Sequence, residues 1–407
     1  MDFEVLIIGT DANAYYMARS FHEAYGKKAN LVGKSPLPYT SYTNILSVRY
    51  FDDLWEEEGF LAAVLECKKA LGDKKTLLIS SNETYAGFIA KNREKLLSEG
   101  FVFNYPEENI INSLMYKEAF YKTYENSCLD FPATVYYDCK EQGEIPRKFT
   151  YPVIVKPSNV ILYNHLDFAG KHKIYKVESE EELCRVVKQI VEGGYDDTLI
   201  LQDFIPGSDS FLFDAVLYAD RNGKVRMASF AQIGLQEHTK TMVGNAAVLI
   251  NGYNQFGGTE EIVEKITRFL EEIGYHGFAE FDLKYDFRDG KFKVLEINAR
   301  QGRSSYYISP LGCNPVKVLV DDLIFEKNTD YGLLKDEVLL SFVPKGIVRK
   351  YVKNEEFRKK ALTLWRTKGA ENPLSYKKDK NFKRFLYLFK RRLSYYKDYK
   401  NGYWKVD

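Results

Sequence analysis

The sequence predicts a mixed α/β fold, in which a domain with a parallel sheet comes first and a basic extension comes last. The chain starts with an apolar strand, FEVLIIG from Phe3, followed by a polar turn and by apolar residues at helical spacing. Strand-to-helix units of this kind build parallel sheets. Residues 277–300 instead hold two strand-like runs around an Asp-Gly pair, which is typical of an antiparallel hairpin.

Length and composition are those of a globular protein with room for two or three domains. The 407 residues are 45% apolar and 28% charged. The chain shows neither the basic start and apolar run of a signal peptide nor a window near the roughly 18 apolar residues of a membrane span. Five cysteines without a CxxC spacing favour reduced thiols over a disulfide framework or a zinc site. We therefore expect a cytoplasmic protein.

Charge is distributed unevenly along the chain. Residues 345–407 contain 20 Lys and Arg against 6 Asp and Glu, a net charge of +14, and because the whole chain carries +1, the first 344 residues carry −13. The basic residues are mixed with aromatic ones, which suits an anionic partner such as a membrane surface, a nucleotide-linked precursor or nucleic acid. The alternative is a solvated helix whose Phe and Leu side chains dock on the body of the protein.

The first elements predict a ligand site at one edge of the parallel sheet. Asp11 or Asn13 is expected to cap the first helix. A second strand-like run, residues 76–90, places residues 80–83 at the carboxyl end of a strand, which is where open α/β sheets bind ligands. The turn after the first strand is not a GxGxxG motif, so a dinucleotide-binding domain is not favoured.

The middle of the chain predicts a helix near 113–127 and a strand at 151–159. Lys156 ends the apolar part of this strand and is either a phosphate-binding charge or part of a solvated edge. The polar residues 158–177, with one Gly and three Lys, suit a flap that covers phosphates.

A second helix is predicted to begin after Ser179, with Glu182 at the capping-box position, and it leads to the strand TLILQDFIPG. The polar segment of this strand, which turns at Pro206 and Gly207, can offer backbone groups to an adenine edge while apolar side chains cover the ring faces. More strands and a helix at 258–273 are expected before the hairpin.

The hairpin carries the strongest chemical signal. Alternate residues on a strand share a face, so Glu280 and Asp282 lie on one face of its first strand and Glu296 and Asn298 on one face of its second. Pairing brings the two faces side by side, and such oxygen-rich side chains suit Mg²⁺. The alternative is a solvated polar face of the hairpin.

The order of these motifs resembles the ATP-grasp superfamily over residues 110–305. The matching segments are MYKEAFY, VIVKPS, LQDFIPG, AEFDLKYD and LEINARQGR. Four further segments, DANAYYMARSFHEAYG, VKPSN, LQDFIPGSDS and EHTKTMVGN, resemble its carboxylate–amine ligases, typified by the D-aspartate ligases, and this resemblance spans most of the chain. It implies an N-terminal α/β domain at 1–110, an ATP-grasp domain at 111–330 with a lid at about 125–207, and a basic aromatic extension at 331–407.

The resemblance also implies residue roles. The nucleotide-binding residues it indicates are Lys117, Lys156, Gln202, Asp203, Phe204, Ile205 and Asp209, together with Lys173 in a flap that lacks the usual Gly-rich run and also holds Lys171 and His172. The metal ligands are Glu280, Glu296 and Asn298, with Asp282 as a substitute for Glu280. Arg300 and Arg303 are expected to hold the acceptor carboxylate or an acyl phosphate, and a structural salt bridge is the alternative for at least one of them. Ala299 replaces a proline usual in the family. His238 is a candidate general base, and a capping or core histidine is the alternative.

These roles imply an ATP-dependent ligase that uses Mg²⁺, or Mn²⁺ in its place, and forms an amide through an acyl phosphate. The expected reaction joins an amino acid such as D-aspartate to the lysine amine of a peptidoglycan precursor, with peripheral membrane contact through the C-terminal segment and no nucleic-acid partner. One alternative is a dipeptide or specialised-metabolite ligase with small acceptors. Another is a non-catalytic nucleotide-binding protein, which would have little need of so complete a set of metal-binding residues.

Overall fold

The computed structural model describes residues 3–146, 150–238, 242 and 244–402, with the backbone alone at Val160 and Ile161. Part of the EHTKTMVGN motif (239–241 and 243) and the last five residues of the C-terminal extension lie outside the described residues. The described chain forms three sheets, of five, seven and four strands. This arrangement confirms the predicted mixed α/β fold with a parallel sheet.

The N-terminal region is a five-stranded parallel sheet in the order β3-β2-β1-β4-β5, with helices in the connections. Its elements are β1 (Phe3–Ile8), α1 (Ala12–Tyr25), β2 (Ala29–Gly33), α2 (Pro38–Ser41), β3 (Leu46–Tyr50), α3 (Glu57–Leu71), β4 (Lys75–Ser80), α4 (Glu83–Lys91), α5 (Arg93–Ser98), β5 (Phe101–Val102) and α6 (Glu108–Met115). Asp11 caps α1, since its Oδ1 accepts a hydrogen bond from Ala14 N at 2.9 Å. Asn82 caps α4 in the same way.

The four-stranded sheet is antiparallel, in the order β6-β9-β7-β8. Its region contains α7 (Lys117–Tyr124), β6 (Thr134–Asp138), β7 (Val153–Pro157), α8 (Val160–His165), β8 (Tyr175–Val177), α9 (Glu180–Glu192) and β9 (Thr198–Asp203). Its buried apolar side chains form a cluster of their own. Ser179 caps α9 by accepting from Glu182 N at 3.2 Å, as predicted.

The helix predicted near 113–127 is wrong as a single element, because Tyr116 is extended (φ −87°, ψ 113°) and separates α6 from α7. Helix α6 buries Leu114 and α7 buries Phe120. On a continuous helix of about 3.6 residues per turn, these two residues would lie roughly 120° apart. The break lets both reach the same core, and it makes Lys117 the first residue of α7.

The seven-stranded sheet is the largest. Its strands run in the order β14-β13-β10-β11-β12-β16, and β15 lies alongside β11. The elements are β10 (Leu212–Ala219), β11 (Val225–Gln236), β12 (Ala246–Asn251), α10 (Thr259–Glu272), β13 (Gly277–Asp286), β14 (Lys291–Asn298), α11 (Pro315–Leu323), β15 (Gly332–Leu334) and β16 (Val338–Ser341), with 3₁₀ turns at Asp209–Phe211 and Ser304–Leu311. The predicted hairpin is confirmed as β13 and β14, which pair antiparallel.

Three helices follow the large sheet: α12 (Lys345–Tyr351), α13 (Glu355–Thr367) and α14 (Phe382–Asn401). Tyr395 and Tyr399 of α14 are buried in a cluster with side chains of β12 and β16. The prediction that Phe and Leu side chains would dock this segment is wrong for Phe382, Phe385 and Phe389, which are 74%, 62% and 52% exposed. Leu388 does pack on the body as predicted, and the buried tyrosines dock because they lie away from the exposed helix face. No helix within the described ranges combines the length and the apolar run of a bilayer span.

Candidate active site

The hairpin register brings the predicted metal-binding side chains together. Glu280 pairs with Asn298 and Asp282 with Glu296 across the two strands. Residues directly opposite each other on antiparallel strands have Cβ atoms about 5 Å apart. The four side chains therefore form one oxygen-rich face, called the carboxylate face below. Asp214 on β10 pairs with Asp282 from the other side.

Glu280 is held firmly by its neighbours. Ser304 Oγ lies 2.7 Å from Glu280 Oε1 and 2.6 Å from Asp214 Oδ2. Because a serine hydroxyl has a single hydrogen, both bonds form only if one of the carboxyl groups carries a proton. Burial and the charge of Glu280 raise the pKa of Asp214 well above its usual value, which favours the protonated form of Asp214.

Gly302 leaves the room that Glu280 occupies. A Cβ at Gly302 would lie 1.8 Å from both carboxylate oxygens of Glu280. Any other residue would force this carboxylate to move. A glycine at this point of the QGR segment is therefore a requirement of the site that the sequence motif alone did not reveal.

Asp282 has a different environment from Glu280. Within the described part of the chain it takes part in no side-chain hydrogen bond and no ion pair, and it is half-buried. Burial and the neighbouring Glu280 and Glu296 raise its pKa well above the usual value. Of the two carboxyl groups on β13, Asp282 is thus more available to a ligand than Glu280.

Glu296 forms an ion pair with Lys117, with Nζ and Oε2 2.6 Å apart. The charge of Lys117 lowers the pKa of Glu296 to about 2, and Lys156 and Lys173 act in the same direction. Burial by itself would lower the pKa of Lys117, but Glu296 reverses this and the net change is upward. Both groups are therefore charged at neutral pH.

Lys156 approaches the same face from β7 of the four-stranded sheet, and it is buried. Its Nζ donates to Gln202 Oε1 at 2.9 Å and lies 3.4 Å from the Tyr121 hydroxyl. Burial, followed by the nearby charge of Lys117, lowers the pKa of Lys156 to about 7. Gln202, predicted as part of the adenine hinge, uses its side chain to hold this lysine.

The predicted adenine hinge follows β9. The N–H groups of Asp203 and Phe204 donate to Ala133 O and Pro152 O at 2.9 and 3.4 Å. In the described part of the chain the N–H of Ile205 makes no hydrogen bond to protein, so it is the hinge donor left for a ligand.

Two lysines flank the ring of Phe204 in this hinge. Lys176 and Lys284 have their Nζ atoms 4.5 and 5.2 Å from its centroid. Lys284 lies on β13 two residues beyond Asp282, and burial lowers its pKa to about 8. The alternation of β13 placed Lys284 on the same face as Glu280 and Asp282, and sequence reasoning missed it because it stopped at the carboxylates.

Arg300 joins the hairpin to the N-terminal sheet. Its guanidinium lies 2.5 Å from Glu83 Oε1 and 3.3 Å from Glu280 Oε2. The next residue, Gln301, donates to Ser80 O at 2.8 Å and accepts from Asn13 Nδ2 at 2.9 Å through its carbonyl. Residues 300–303, called the arginine segment below, therefore lie directly against the residues predicted at the carboxyl edge of the parallel sheet.

Arg303 faces the C-terminal helices instead. It donates to Glu237 Oε1 at 3.0 Å and to Ala246 O at 2.7 Å. Glu237 is fully buried and also accepts from the Tyr395 hydroxyl at 3.2 Å. The alternative of a structural salt bridge for at least one arginine thus holds for Arg303, and Arg300 is ion-paired as well.

His238, the candidate base, is half-buried and its ring stacks on Tyr399 with centroids 4.4 Å apart. Burial raises the pKa of the neighbouring Asp209, and His238 acts in the opposite direction. Asp209 in turn accepts from Gln236 N at 2.8 Å. The structure therefore places His238 beside Asp209, at the predicted ribose end of the cleft.

The flap residues differ in their orientation. Lys171 Nζ binds carbonyl oxygens of its own segment, at Asn164 and Leu166. Lys173 is exposed, yet it is near enough to Glu296 to lower the pKa of that carboxyl. Of the two, Lys173 is the one in reach of the carboxylate face.

A cleft that gathers two lysines and a set of carboxylates fits an ATP-grasp carboxylate–amine ligase, and the comparison with known proteins shows this class. The chain is 34% identical to the D-aspartate ligase of Enterococcus faecium (strain Aus0004), over 98% of this chain and 97% of that protein. It belongs to the D-aspartate ligase family. No family model matches the sequence.

Solved structures agree on the fold. The L-amino acid ligase from Bacillus licheniformis has a TM-score of 0.57 at 18% identity, with 78% of this chain and 73% of that chain covered. The N5-carboxyaminoimidazole synthetase from Staphylococcus aureus has a TM-score of 0.59 at 14% identity, with 88% and 89% covered. The predicted superfamily and enzyme class, an ATP-dependent ligase that forms C–N bonds between carboxylate and amine substrates, are confirmed.

Proposed function

We propose that this ligase activates the carboxylate of an acidic amino acid, D-aspartate, and joins it to the lysine amine of a peptidoglycan precursor. The observation that carries the proposal is the likeness to a D-aspartate ligase over 98% of the chain. The carboxylate face, Lys117, Lys156 and the arginine segment supply the chemistry that such a ligation needs.

The donor set on the hairpin suits a divalent cation with oxygen ligands. No three His, Cys, Asp or Glu side chains of the described residues are gathered closely enough to hold a metal by themselves. Mg²⁺ characteristically takes one or two carboxylates and completes its shell with phosphates and water. We propose Asp282, Glu296 and Asn298 as its protein ligands, because Glu280 is already bound by Ser304 and Arg300. When bound, the ion would neutralise charge on the triphosphate.

The proposed nucleotide pocket runs from the hinge to the carboxylate face. The Ile205 N–H and a hinge carbonyl would form hydrogen bonds with the adenine edge, and Asp209 would bind the ribose. Lys156 and Lys117 would hold phosphate oxygens, with Lys173 of the flap above them. Lysines are suitable here because their compact charge contacts phosphate oxygens without a fixed orientation.

The proposed donor pocket lies where Arg300 meets the N-terminal sheet. Arg300 Nε is buried and, among the described residues, has no hydrogen-bond partner. A carboxylate bound there would complete the donors of this guanidinium. Transfer of the γ-phosphoryl group of ATP to that carboxylate would release ADP and form an acyl phosphate. The amine would then attack the acyl carbon and lose a proton, and phosphate would leave as the amide forms.

We propose domain limits at 1–110, 111–330 and 331–407, with a lid at about 125–207. The N-terminal sheet ends at Val102, and the antiparallel sheet spans Thr134 to Asp203, which supports the first limit and the lid. Strand β16 of the third unit pairs with β12, so this unit shares the seven-stranded sheet, which is the central sheet of the molecule. The contact with a membrane surface that the composition of residues 345–407 predicts stays a prediction, and ligation itself does not require it.

The experiment is a panel of D- and L-amino acids with Mg-ATP, scored by phosphate release with and without a muropeptide that contains lysine. We expect release to depend on D-aspartate and to rise when the muropeptide is added. Release with D-aspartate that is unaffected by any lysine-bearing precursor would remove the cell-wall assignment. Release with L-amino acids and small amines would favour a dipeptide ligase, and the absence of release with every amino acid would favour a nucleotide-binding protein.

A further inference from the structure

Helix α14 carries an exposed apolar stripe that the ligase chemistry does not use. Fourteen large apolar side chains are exposed among the described residues, and six of them lie on this helix. Their positions fall within an arc of about 100° on a helix of about 3.6 residues per turn. They are Phe382, Phe385, Leu386, Phe389, Leu393 and Tyr396.

The stripe is bordered by basic residues. Lys383, Lys390 and Lys397 recur every seven residues along one side of it and are exposed, and Arg392 lies on the other side. The helix holds seven Lys and Arg and one acidic residue, a net charge of +6. An apolar face with a basic border is the pattern of a helix that lies in a lipid interface.

The opposite face of α14 is fixed to the protein. Arg384 donates to Tyr39 O at 2.8 Å and pairs with Asp379 at 3.2 Å. Tyr399 donates to Gln236 O at 2.5 Å. Because these contacts hold the inner face, the helix cannot rotate to bury its stripe against its own chain.

We propose that the outer face of α14 docks on an anionic membrane surface. The charge selects this occupant over a second copy of the chain, because a two-fold dimer would place the same patch on both subunits and oppose two rows of lysines. Anionic headgroups attract the lysines, and the aromatic side chains enter the boundary between headgroups and acyl chains. This inference goes beyond the proposed ligation and names a surface that brings the enzyme to the membrane.

The test is sedimentation of the full chain with vesicles of phosphatidylcholine, either pure or mixed with phosphatidylglycerol. We expect binding to the mixed vesicles, weakened by salt, and little binding to the pure ones. Replacing Phe385→Ser and Phe389→Ser together is expected to weaken binding at least tenfold, and so is the pair Lys383→Glu and Lys390→Glu. The matched control is Arg185→Glu with Lys188→Glu, two exposed basic residues of α9, which should leave binding nearly unchanged.

Ligase activity is measured without vesicles on the same proteins, so that failure of the docking proposal and failure of the proposed reaction are distinguishable. The serine variant should keep its activity in solution, because neither phenylalanine contacts the cleft. Equal binding to neutral and anionic vesicles would overturn the proposal, and so would no binding at all. A dimer that the serine variant converts to a monomer, with vesicle binding unchanged, would also overturn it and assign the stripe to a second copy.

Discussion

Two lysines reach the same cleft from different elements, Lys117 from the start of helix α7 and Lys156 from strand β7, and their surroundings differ. Lys117, beside the central sheet, lies 2.6 Å from a carboxylate of Glu296. Lys156, in the lid sheet, has among the described residues only the neutral partners Gln202 and Tyr121 within hydrogen-bond distance. The central side therefore brings a neutralised pair to the cleft, while the lid brings a lysine that burial has made easy to deprotonate.

This difference indicates how the two sides respond to an anionic ligand. A triphosphate that approaches Lys117 has to share the lysine with Glu296, and a cation bound to Glu296 would free that lysine for phosphate. A triphosphate that approaches Lys156 supplies the negative charge that its site lacks, and so favours the protonated amine. In the proposed binding mode, Lys117 on the central side would exchange one ionic partner for another, and Lys156 on the lid side would take up a proton.

The largest effect is expected on the central side. Glu296→Gln removes both the ion pair with Lys117 and a proposed metal ligand, so kcat should fall by about 10³-fold or more while the fold is retained. Turnover and thermal unfolding measured on the same sample separate these effects. Asp289→Asn, in the turn of the same hairpin, is the control, and its kcat should stay near normal. Normal turnover in Glu296→Gln would show that the metal assignment is wrong.

Gly302→Ala tests whether the position of Glu280 matters. The added Cβ would lie 1.8 Å from the Glu280 oxygens, so the carboxylate has to move and Arg300 with it. A displacement of about 1 Å in a catalytic group can cost about 10²-fold in rate, and we expect a loss of that size in kcat. Gly143→Ala, where a Cβ meets nothing within 4 Å, is the control. An active Gly302→Ala enzyme would mean that Glu280 has no role in the rate.

The sequence predicted the elements that rest on local pattern. The Asp-Gly turn and the alternation of the hairpin predicted that the polar faces of its two strands lie side by side, and the pairing of Glu280 with Asn298 confirms this. The cap at Asp11 follows from local hydrogen bonding in the same way.

What the sequence could not predict depends on packing between distant segments. The break at Tyr116 serves a core shared by two helices, and the partner of Arg303 is a glutamate 66 residues earlier in the chain. Neither leaves a periodic signal. The choice between Asp282 and Glu280 as a ligand likewise depends on Ser304 and Arg300, whose positions only the folded chain defines.

An effect of intermediate size is expected on the lid side, at Lys156. Because the pKa of Lys156 is about 7, most of this lysine is neutral at pH 8 in the free enzyme, and bound triphosphate would recharge it. Binding of an ATP analogue at pH 8 should therefore take up most of one proton, and this uptake should vanish at more acidic pH, where the free enzyme already carries that proton. Calorimetry in buffers of different ionisation enthalpy measures it.

Lys156→Met should abolish the uptake and raise the KM for ATP about tenfold, while Lys171→Met, on the flap, is the control and should change neither. Uptake that persists in Lys156→Met would assign the proton to another group, with Lys284 next to be tested. Affinity for ATP should fall as the pH rises above 7, because the charged form of Lys156 is then scarcer before binding.

The smallest effect is expected where α14 meets the cleft. Tyr395→Phe removes the hydroxyl that donates to Glu237 at 3.2 Å, and Glu237 then relies on Arg303 alone among its described partners. After the Glu237 carboxylate has lost one of its two hydrogen bonds, it should draw the Arg303 guanidinium closer to itself. The guanidinium then lies farther from any bound substrate. We expect kcat/KM for the donor amino acid to fall about threefold and the KM for ATP to stay unchanged. Tyr396→Phe, one residue along on the exposed stripe, is the matched control, and equal effects of the two variants would mean that α14 does not position Arg303.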